Sequence, residues 1–400
     1  MGLSDEVAQQ LASIERNAET VLPREELAHK IERSLRQERP LRVKLGIDPS
    51  APQLTLGHAV VLRKLRTFQD LGHTAVVVVG DFTRRIGDPS GKSKTREPMS
   101  PEEIQRNMRS YREQAFRILD PRRTEVRYNS EWLEKLTLAQ VVGLTARYTV
   151  ARMLEREDFQ RRFREGSSVT IMEFLYPLAQ AYDSVMVQAD VELGGSDQRF
   201  NLLIGRDIQE AYGQEPQVIL TMPLLIGTDG AFAMSQSRGN YIGVGEEPEE
   251  QFGKVMSLPD ELMPQYFQLL TATPWEEVAA LHPKEAKKRL ATILVAWLHG
   301  EDGARRGREH FERVFEEERP PEGMPEVAVG DLLDSDQRVN IVELLMAARM
   351  ASSRSEARRL VEGGAVELDG ERVASLRGRV AVHPGAVLRV GRLRFARLIL

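Results

Sequence analysis

The sequence predicts an α/β protein built on a parallel β-sheet, and three adjoining stretches carry that prediction. Residues 41–50 alternate between apolar and polar side chains and end in Asp-Pro-Ser, as a strand running into a turn does. Residues 55–72 have apolar side chains at helical spacing and end at Gly72. Residues 73–83 are rich in β-branched side chains, which is typical of a strand buried on both faces. Strand, helix and buried strand make a βαβ unit and indicate a nucleotide-type α/β domain.

The rest of the chain is predicted to be mainly helical. Spacing of the apolar residues predicts helices over 3–38, 101–215 and 247–318, a strand and turn over 124–133, and a buried strand over 216–227. Residues 353–373 are predicted to form a helix, a turn and a hairpin.

Composition bounds the class of protein. The 400 residues suggest two to three domains at about 150 residues each. Hydrophobic and charged fractions of 41% and 29% are ordinary for a soluble globular protein, and the net charge of −5 excludes no class of partner. With no cysteine, disulfides and thiolate metal sites are excluded, and a reducing cytoplasm is favoured. The acidic N-terminus lacks a signal peptide, and no run approaches 18 apolar residues, so we predict a cytoplasmic protein without a membrane span and without a metal site.

The charge is divided unevenly along the chain. Residues 338–400 carry 12 Arg, no Lys and 6 acidic residues, a net charge of +6, which leaves −11 for the preceding residues because the total is −5. The Pro- and Glu-rich stretch 316–326 has the composition of an interdomain linker. These two observations predict a separate small basic domain at the C-terminus.

A candidate phosphate loop lies at 87–96, "GDPSGKSKTR". Its glycines, proline and serines allow tight turns that present backbone N–H groups, and Lys92, Lys94 and Arg96 follow, which suits an anionic phosphate. It is not a Walker A loop, because Ile86 stands where that pattern needs glycine. A solvated basic surface loop is an equally good interpretation of this stretch taken alone.

A second candidate lies at 48–60, "DPSAPQLTLGHAV". Gly57 and His58 fall in the predicted first turn of a helix, where the dipole and unpaired N–H groups favour a phosphate. Gly57 would also let a nucleotide approach the backbone closely. The alternative is that Thr55 simply caps the helix and His58 is a surface residue.

A third candidate is the polar face of "FLYPLAQAYDSV", residues 174–185. Tyr176, Gln180 and Asp183 are spaced i, i+4 and i+7, so they share one face of a helix and could hold a small polar ligand. Burying that face without partners would be costly. The alternative is a partly exposed amphipathic helix.

A fourth candidate is "ELGGSDQRFNLLIGRDI", residues 192–208. Gly194 and Gly195 permit close backbone approach, and Asp197 and Gln198 lie at a predicted helix start. Asp197 could bond a ribose hydroxyl, although a plain capping turn explains the same residues locally.

A loop over 227–244, "GTDGAFAMSQSRGNYIGV", has the shape of a phosphate-handling loop but holds a single cation, Arg238. Together, the four candidate stretches at 48–60, 87–96, 174–185 and 192–208 resemble those of the bacterial tyrosyl-tRNA synthetases, which are class I enzymes. The resemblance extends from about residue 30 to 400.

It implies a Rossmann-type catalytic domain with a helical insertion, followed by an α-helical domain and a small α+β RNA-binding domain like that of ribosomal protein S4. The implied boundaries are 1–230 for the catalytic domain with its insertion, 231–318 for the signature loop and helical tRNA-binding domain, 319–337 for a linker and 338–400 for the S4-like domain.

The resemblance also implies roles for individual residues. Asp88, Tyr176 and Gln180 would bind the α-amino group of tyrosine, Asp183 its phenol hydroxyl and Gln198 its carboxylate. Implied ATP-binding residues are Gly46, Asp48, Gly57, Gly195, Asp197, Met234 and Ser235, and implied catalytic residues are His58, Ser50, Lys92 and Arg96, with Asn129 behind the site.

The implied partners are L-tyrosine, ATP with Mg²⁺, tRNA(Tyr) and a second copy of the chain, with no tightly bound cofactor. The basic C-terminal region would contact tRNA phosphates through Arg354, Arg358 and Arg359.

The chain departs from the family at two signature motifs. Thr55-Leu56-Gly57-His58 replaces His-(Ile/Leu)-Gly-His, and Ala233-Met234-Ser235-Gln236-Ser237 replaces Lys-Met-Ser-Lys-Ser. We hypothesise that Arg84, Arg85 and Arg238 supply part of the missing phosphate contact; solvent-facing charges are the alternative.

Two alternatives to a tyrosine–tRNA ligase remain open on the sequence. One is a catalytically impaired relative that binds tyrosine or RNA as a sensor. The other is an RNA-binding protein whose α/β domain is a scaffold.

Overall fold

The structure is a computed structural model that describes residues 4–49, 51–88, 100–316, 324–373, 379–391 and 394–400. The chain divides into two compact units, residues 1–247 with 254–300 and residues 248–253 with 301–400. The four-part division into domains given above remains a prediction.

The first unit is a six-stranded sheet with helices. Its strands are β1 (Thr20–Leu22), β2 (Arg42–Ile47), β3 (Thr74–Val79), β4 (Thr124–Tyr128), β5 (Val191–Gly195) and β6 (Val218–Met222). Its helices are α1 (Asp5–Glu15), α2 (Arg24–Gln37), α3 (Leu56–Asp70), α4 (Thr83–Ile86), α5 (Pro101–Ala115), α6 (Ser130–Leu133), α7 (Leu138–Thr145), α8 (Val150–Met153), α9 (Glu157–Arg164), α10 (Ile171–Val187), α11 (Arg199–Ala211) and α13 (Met263–Leu270). Two further helices, α12 (Pro248–Met256) and α14 (Pro283–Phe311), belong partly to each unit, and α14 is interrupted at Gly300, where φ is +77°.

The strand order explains where a ligand can bind. The sheet runs β1-β6-β5-β2-β3-β4, with β6, β5, β2, β3 and β4 parallel and β1 antiparallel at one edge. From β2 the chain proceeds outward through β3 to β4 and then returns to place β5 on the other side of β2. In a parallel sheet, such a reversal opens a crevice at the carboxyl ends of the two strands. The crevice therefore lies beyond Ile47 and Gly195.

The α/β prediction is confirmed, with two strands missed. The βαβ unit is present as β2, α3 and β3, and Gly72 follows α3 with φ of +96°. β1 interrupts the stretch predicted as purely helical because it adds to the exposed edge of β6. β5 was missed because "VELGG" is short and ends in two glycines, which weaken a strand signal.

The second unit is a small α+β structure at its C-terminal end. Its strands are β7 (Glu326–Ala328), β8 (Arg338–Asn340), β9 (Val366–Leu368), β10 (Glu371–Arg372), β11 (Arg379–Ala381), β12 (Val387–Val390) and β13 (Arg394–Ile399), and its helices are α15 (Ile341–Ala347) and α16 (Arg354–Glu362). The sheet order is β10-β9-β12-β13-β7, with β11 and β8 paired separately. The predicted helix, turn and hairpin over 353–373 are confirmed by α16, β9 and β10.

Candidate active site

A cavity of about 290 Å³ occupies the crevice at the carboxyl ends of the strands. It lies where β2, β3, β5 and β6 end, and α10 contributes one wall. Thirteen residues with roles implied by the sequence line it together: Gly46, Asp48, Gly57, His58, Asp88, Asn129, Tyr176, Gln180, Asp183, Gly195, Asp197, Gln198 and Met234. The structure thus brings residues of five separate sequence stretches to one site.

Four implied residues remain to be accounted for. Ser50, Lys92 and Arg96 fall outside the described residues. Ser235 is next to the lining residue Met234 but does not line the cavity itself, and its backbone N–H donates to Asn240 Oδ1 at 2.8 Å. Its role in ATP binding stays a prediction.

Asp183 provides a buried carboxylate in the cavity wall. Its two oxygens accept hydrogen bonds from Trp132 Nε1 at 2.8 Å and from Asn129 Nδ2 at 3.2 Å. Burial raises the pKa of Asp183 from 3.8 to about 7, against the opposing attraction of Lys44. A buried carboxylate oriented by two donors is suited to accept one further hydrogen bond from a hydroxyl.

Behind Asp183 lies a buried ion pair that sequence reasoning missed. Lys44 Nζ is 2.8 Å from Glu192 Oε1, and the exposures of the two side chains are 0% and 1%. The ammonium also donates to Ser184 Oγ and to the Gln180 carbonyl oxygen, both at 2.8 Å, so all three of its protons are used. A charged residue in the middle of a buried strand was the available signal, since such a residue needs a buried partner.

Gln180 and Gln198 are joined through one asparagine. Asn201 Nδ2 lies 3.2 Å from Gln180 Oε1 and 3.0 Å from Gln198 Oε1, and Gln198 Nε2 donates to Asp88 Oδ2 at 3.0 Å. Arg156 donates to Asn201 Oδ1 at 3.1 Å. This series of hydrogen bonds fixes both glutamine side chains. It thereby fixes the polar wall that would face an amino acid.

Asp48 connects β2 with helices α4 and α10. Its Oδ2 accepts from the Tyr176 hydroxyl at 3.0 Å and its Oδ1 from Thr83 Oγ1 at 2.9 Å. Gly80 is needed beside it, since a Cβ there would meet Asp48 Oδ1 at 2.0 Å. The contact holds the Tyr176 phenol at the cavity wall.

His58 lies in the first turn of α3. Its Nδ1 accepts hydrogen bonds from the Thr55 backbone N–H at 3.2 Å and the Thr55 hydroxyl at 2.9 Å, so Nε2 is the ring nitrogen that carries the proton. Burial lowers the pKa of His58 to about 4, and the imidazole is therefore neutral at pH 7. Both sequence interpretations hold in part, because Thr55 caps the helix and His58 also lines the cavity.

The altered signature loop closes one side of the site. Ala233 and Met234 line the cavity, and the Gln236 side chain donates to the Gln53 carbonyl oxygen. The Arg238 guanidinium lies over the Phe232 ring, 4.3 Å from its centroid.

The hypothesised compensating arginines do not line the cavity. Arg84 is buried, and Arg85 pairs with Glu134 at 2.6 Å on the surface. The geometry therefore gives no support to phosphate contact by Arg85 in this conformation, and the hypothesis stays untested for the other two arginines.

Asp183 also makes stability depend on pH. Between pH 4 and 7 the folded state holds a proton on Asp183 that the unfolded chain releases, so the free energy of unfolding falls as pH rises, by on the order of 4 kcal/mol. Asp183→Asn lacks this titration. We expect the free energy of unfolding of the variant, relative to that of the native protein, to increase between pH 5 and pH 8 in urea denaturation. An identical difference at both pH values would contradict the assignment.

The fold and the cavity define a class of protein. A parallel sheet with polar side chains around its switch-point crevice, and a glycine in the first turn of an adjoining helix, is the arrangement of nucleotide-binding α/β proteins.

Comparisons with known proteins specify the family. Residues 36–316 match the family model of tRNA synthetases class I (W and Y), and residues 317–385 match that of the tyrosine–tRNA ligase SYY-like C-terminal domain. Tyrosine–tRNA ligases of Thermotoga maritima and Moorella thermoacetica are each 51% identical, over 98% and 99% of this chain and 97% of each relative.

Comparisons with solved structures indicate the same family. A tyrosyl-tRNA synthetase from Archaeoglobus fulgidus, complexed with L-tyrosine, is 25% identical with a TM-score of 0.60 and covers 76% of this chain and 99% of its own. A truncated mitochondrial tyrosyl-tRNA synthetase from Aspergillus nidulans, at 22% identity, a TM-score of 0.64 and coverage of 78% and 97%, shows the shared fold. The chain belongs to the tyrosine–tRNA ligase family of class I tRNA synthetases.

Proposed function

We propose that this protein activates L-tyrosine with ATP and transfers it to tRNA(Tyr). The observation that carries the proposal is the cavity itself, which combines a buried carboxylate, Asp183, with a polar wall of Tyr176, Gln180 and Gln198. Asp183 would accept a hydrogen bond from the phenol hydroxyl, while Asp88, Tyr176 and Gln180 would receive the α-amino group. Gln198 would lie at the carboxylate.

The chemistry requires positioning more than proton transfer. The tyrosine carboxylate oxygen attacks the α-phosphorus of ATP, a P–O bond forms, and the bond to the leaving pyrophosphate breaks. Catalysis then consists of aligning the two reactants and stabilising the charge that develops on the phosphates. His58 Nε2–H and the N-terminal turn of α3 are suited to the second task, because both supply donors at the cavity wall.

ATP would occupy the part of the cavity lined by Gly46, Asp48, Gly57, Gly195 and Asp197. A Cβ on Gly195 would meet Asp197 Oδ1 at 2.6 Å and Leu224 Cδ2 at 2.9 Å, so a side chain there would displace Asp197 or Leu224. Mg²⁺ would enter with the nucleotide. The described residues hold no group of three acidic or histidine side chains placed to bind a metal, so phosphate oxygens would supply most of its ligands.

The alternatives left open by the sequence receive no support from the comparisons, since the relatives reported above carry the name of the ligase and are similar over nearly their whole length. The test is charging of tRNA(Tyr) by the purified protein with tyrosine and, separately, with phenylalanine. Tyrosine-specific charging supports the proposal, and its absence with folded, tyrosine-binding protein contradicts it. Since tRNA is charged in the cytoplasm, we infer that location; no described helix is long and apolar enough to cross a membrane.

The C-terminal arginines would add tRNA affinity through phosphate contacts. Arg354, Arg358 and Arg359 are exposed on α16, and Arg354 and Arg358 are one turn apart on the same face. We expect the triple change to Gln to lower the slope of log affinity against log salt by about 2 units. Arg389→Gln is the matched control, because Arg389 is paired with Glu367. An unchanged slope would show that this helix does not bind tRNA.

A homodimer is the assembly that we propose. Large apolar side chains are exposed on the helices between β4 and β5, among them Leu138 at 80%, Val142 at 59%, Phe163 at 65% and Ile171 at 81%. Large apolar side chains exposed to this degree are ones that an interface would bury. Sedimentation velocity should show a dimer for the native protein and a monomer for the double variant Leu138→Asp, Ile171→Asp; a native monomer would refute it.

A further inference from the structure

A second cavity of the first unit is lined by three cations. It has a volume of about 270 Å³ and lies among the C-terminal end of α1, the middle of α3 and the C-terminal end of α13. Arg16, Arg63 and Lys64 line it, and the other lining residues are uncharged: Ser13, Asn17, Val60, Thr67, Met222, Leu269 and Thr271. The active-site cavity does not share any of these residues.

Two of the cations also cap helices. Lys64 is 5% exposed, and its Nζ donates to the carbonyl oxygens of Ile14 at 2.7 Å and Arg16 at 2.6 Å, at the end of α1. Arg63 Nη1 donates to the Leu269 carbonyl oxygen at 3.2 Å, in the last turn of α13. Capping accounts for the position of these side chains, and each helix end offers about half a negative charge.

The helix ends do not balance the charge. Three positive charges face about one negative charge from the two helix ends, which leaves a surplus of about two. No ion pair joins any of the three cations to a described carboxylate. Burial, then Arg63 and Arg16, lower the pKa of Lys64 to about 8, and burial with Arg16 lowers the pKa of Arg63. The neighbouring Arg66, by contrast, is paired with Asp70 at 2.7 Å.

We propose that this cavity binds a phosphate oxyanion, and that the phosphate belongs to the backbone of the RNA substrate. A backbone phosphodiester carries one negative charge and would offset about half of the surplus, and the planar donors of Arg16 and Arg63 match phosphate oxygens. Arg16 lines the cavity and is exposed to solvent, so a phosphate carried on a polymer can reach its guanidinium. The choice of RNA rests on the proposed function; a free phosphate ion is the other source with the same chemistry.

The test compares Arg16→Gln, Arg63→Gln double-variant protein with Arg66→Gln protein, a control one turn along α3. Lys64 is left in place because it caps α1. The readouts are ³¹P NMR titration with inorganic phosphate, and tRNA affinity over a series of salt concentrations. We expect the double variant to lower the log–log salt slope for tRNA by about 1.5 and to weaken tRNA binding about tenfold, with Arg66→Gln close to native.

Each outcome is decisive. If the double variant loses phosphate binding but keeps the native salt slope for tRNA, the oxyanion site is retained and RNA is overturned as the source of the phosphate. If the native protein binds no phosphate and the double variant keeps the native salt slope for tRNA, the inference is overturned entirely. Tyrosine-dependent ATP–pyrophosphate exchange needs no tRNA and should stay native in every variant, so its failure in the native protein would count against the proposed function and not against this site.

Discussion

Replacing Asp183 with Asn should sharply reduce the preference for tyrosine over phenylalanine. Among the described acidic groups of the cavity wall, the Asp183 carboxylate is the one that accepts hydrogen bonds from both Trp132 and Asn129. A site built to hydrogen-bond a substrate hydroxyl rejects the analogue that lacks it by about 10⁴–10⁵, because its buried polar group is left unpaired. We expect kcat/KM for tyrosine to fall about 10²–10³-fold in Asp183→Asn, and that for phenylalanine to change little.

The measurement is pyrophosphate exchange over a range of each amino acid. Asp207→Asn is the control, because Asp207 is a surface carboxylate on α11 paired with Arg152 at 2.9 Å. If Asp183→Asn retained the native ratio of the two substrates, the phenol would have to bind elsewhere in the cavity.

Restoring lysines to the altered signature loop should accelerate adenylate formation. Ala233 lines the cavity, and Gln236 reaches back to the Gln53 carbonyl, so both positions lie at or beside the site. A preorganised donor at a developing charge typically contributes about 10²–10³ in rate. We expect the double change Ala233→Lys, Gln236→Lys to raise the single-turnover rate of adenylate formation at least about tenfold, with a smaller effect on tyrosine binding.

The matched control is Ala231→Lys, an exposed position of the same loop that does not line the cavity. An increase of equal size in Ala231→Lys would show a general effect of positive charge. No increase in the double variant would show that the native loop already stabilises the leaving phosphates without side-chain cations there.

Local pattern was sufficient for much of the fold. The β-branched run before Val79 indicated a buried parallel strand, and the spacing of Tyr176, Gln180 and Asp183 placed them on one helix face. These features follow from side-chain periodicity, which depends on the local backbone alone. The resemblance to a known family supplied the joint placement of the motifs, which periodicity could not.

Contacts between residues far apart in sequence could not be predicted from local pattern. β1 exists because the edge of β6 is available to it, and no property of Thr20–Leu22 alone indicates this. The Lys44–Glu192 pair joins strands that are far apart in sequence, so neither residue identifies its partner. The cationic cavity likewise forms only when α1, α3 and α13 come together.

The most direct test of the proposed activity is tyrosine-dependent ATP–pyrophosphate exchange by the native protein, measured beside tyrosine binding by calorimetry. The account predicts exchange well above background with tyrosine and close to background with phenylalanine, because the proposed roles have Asp183 select the phenol and the cavity align the carboxylate with ATP. Tyrosine binding without any exchange would contradict it, since the cavity would then hold the amino acid without activating it.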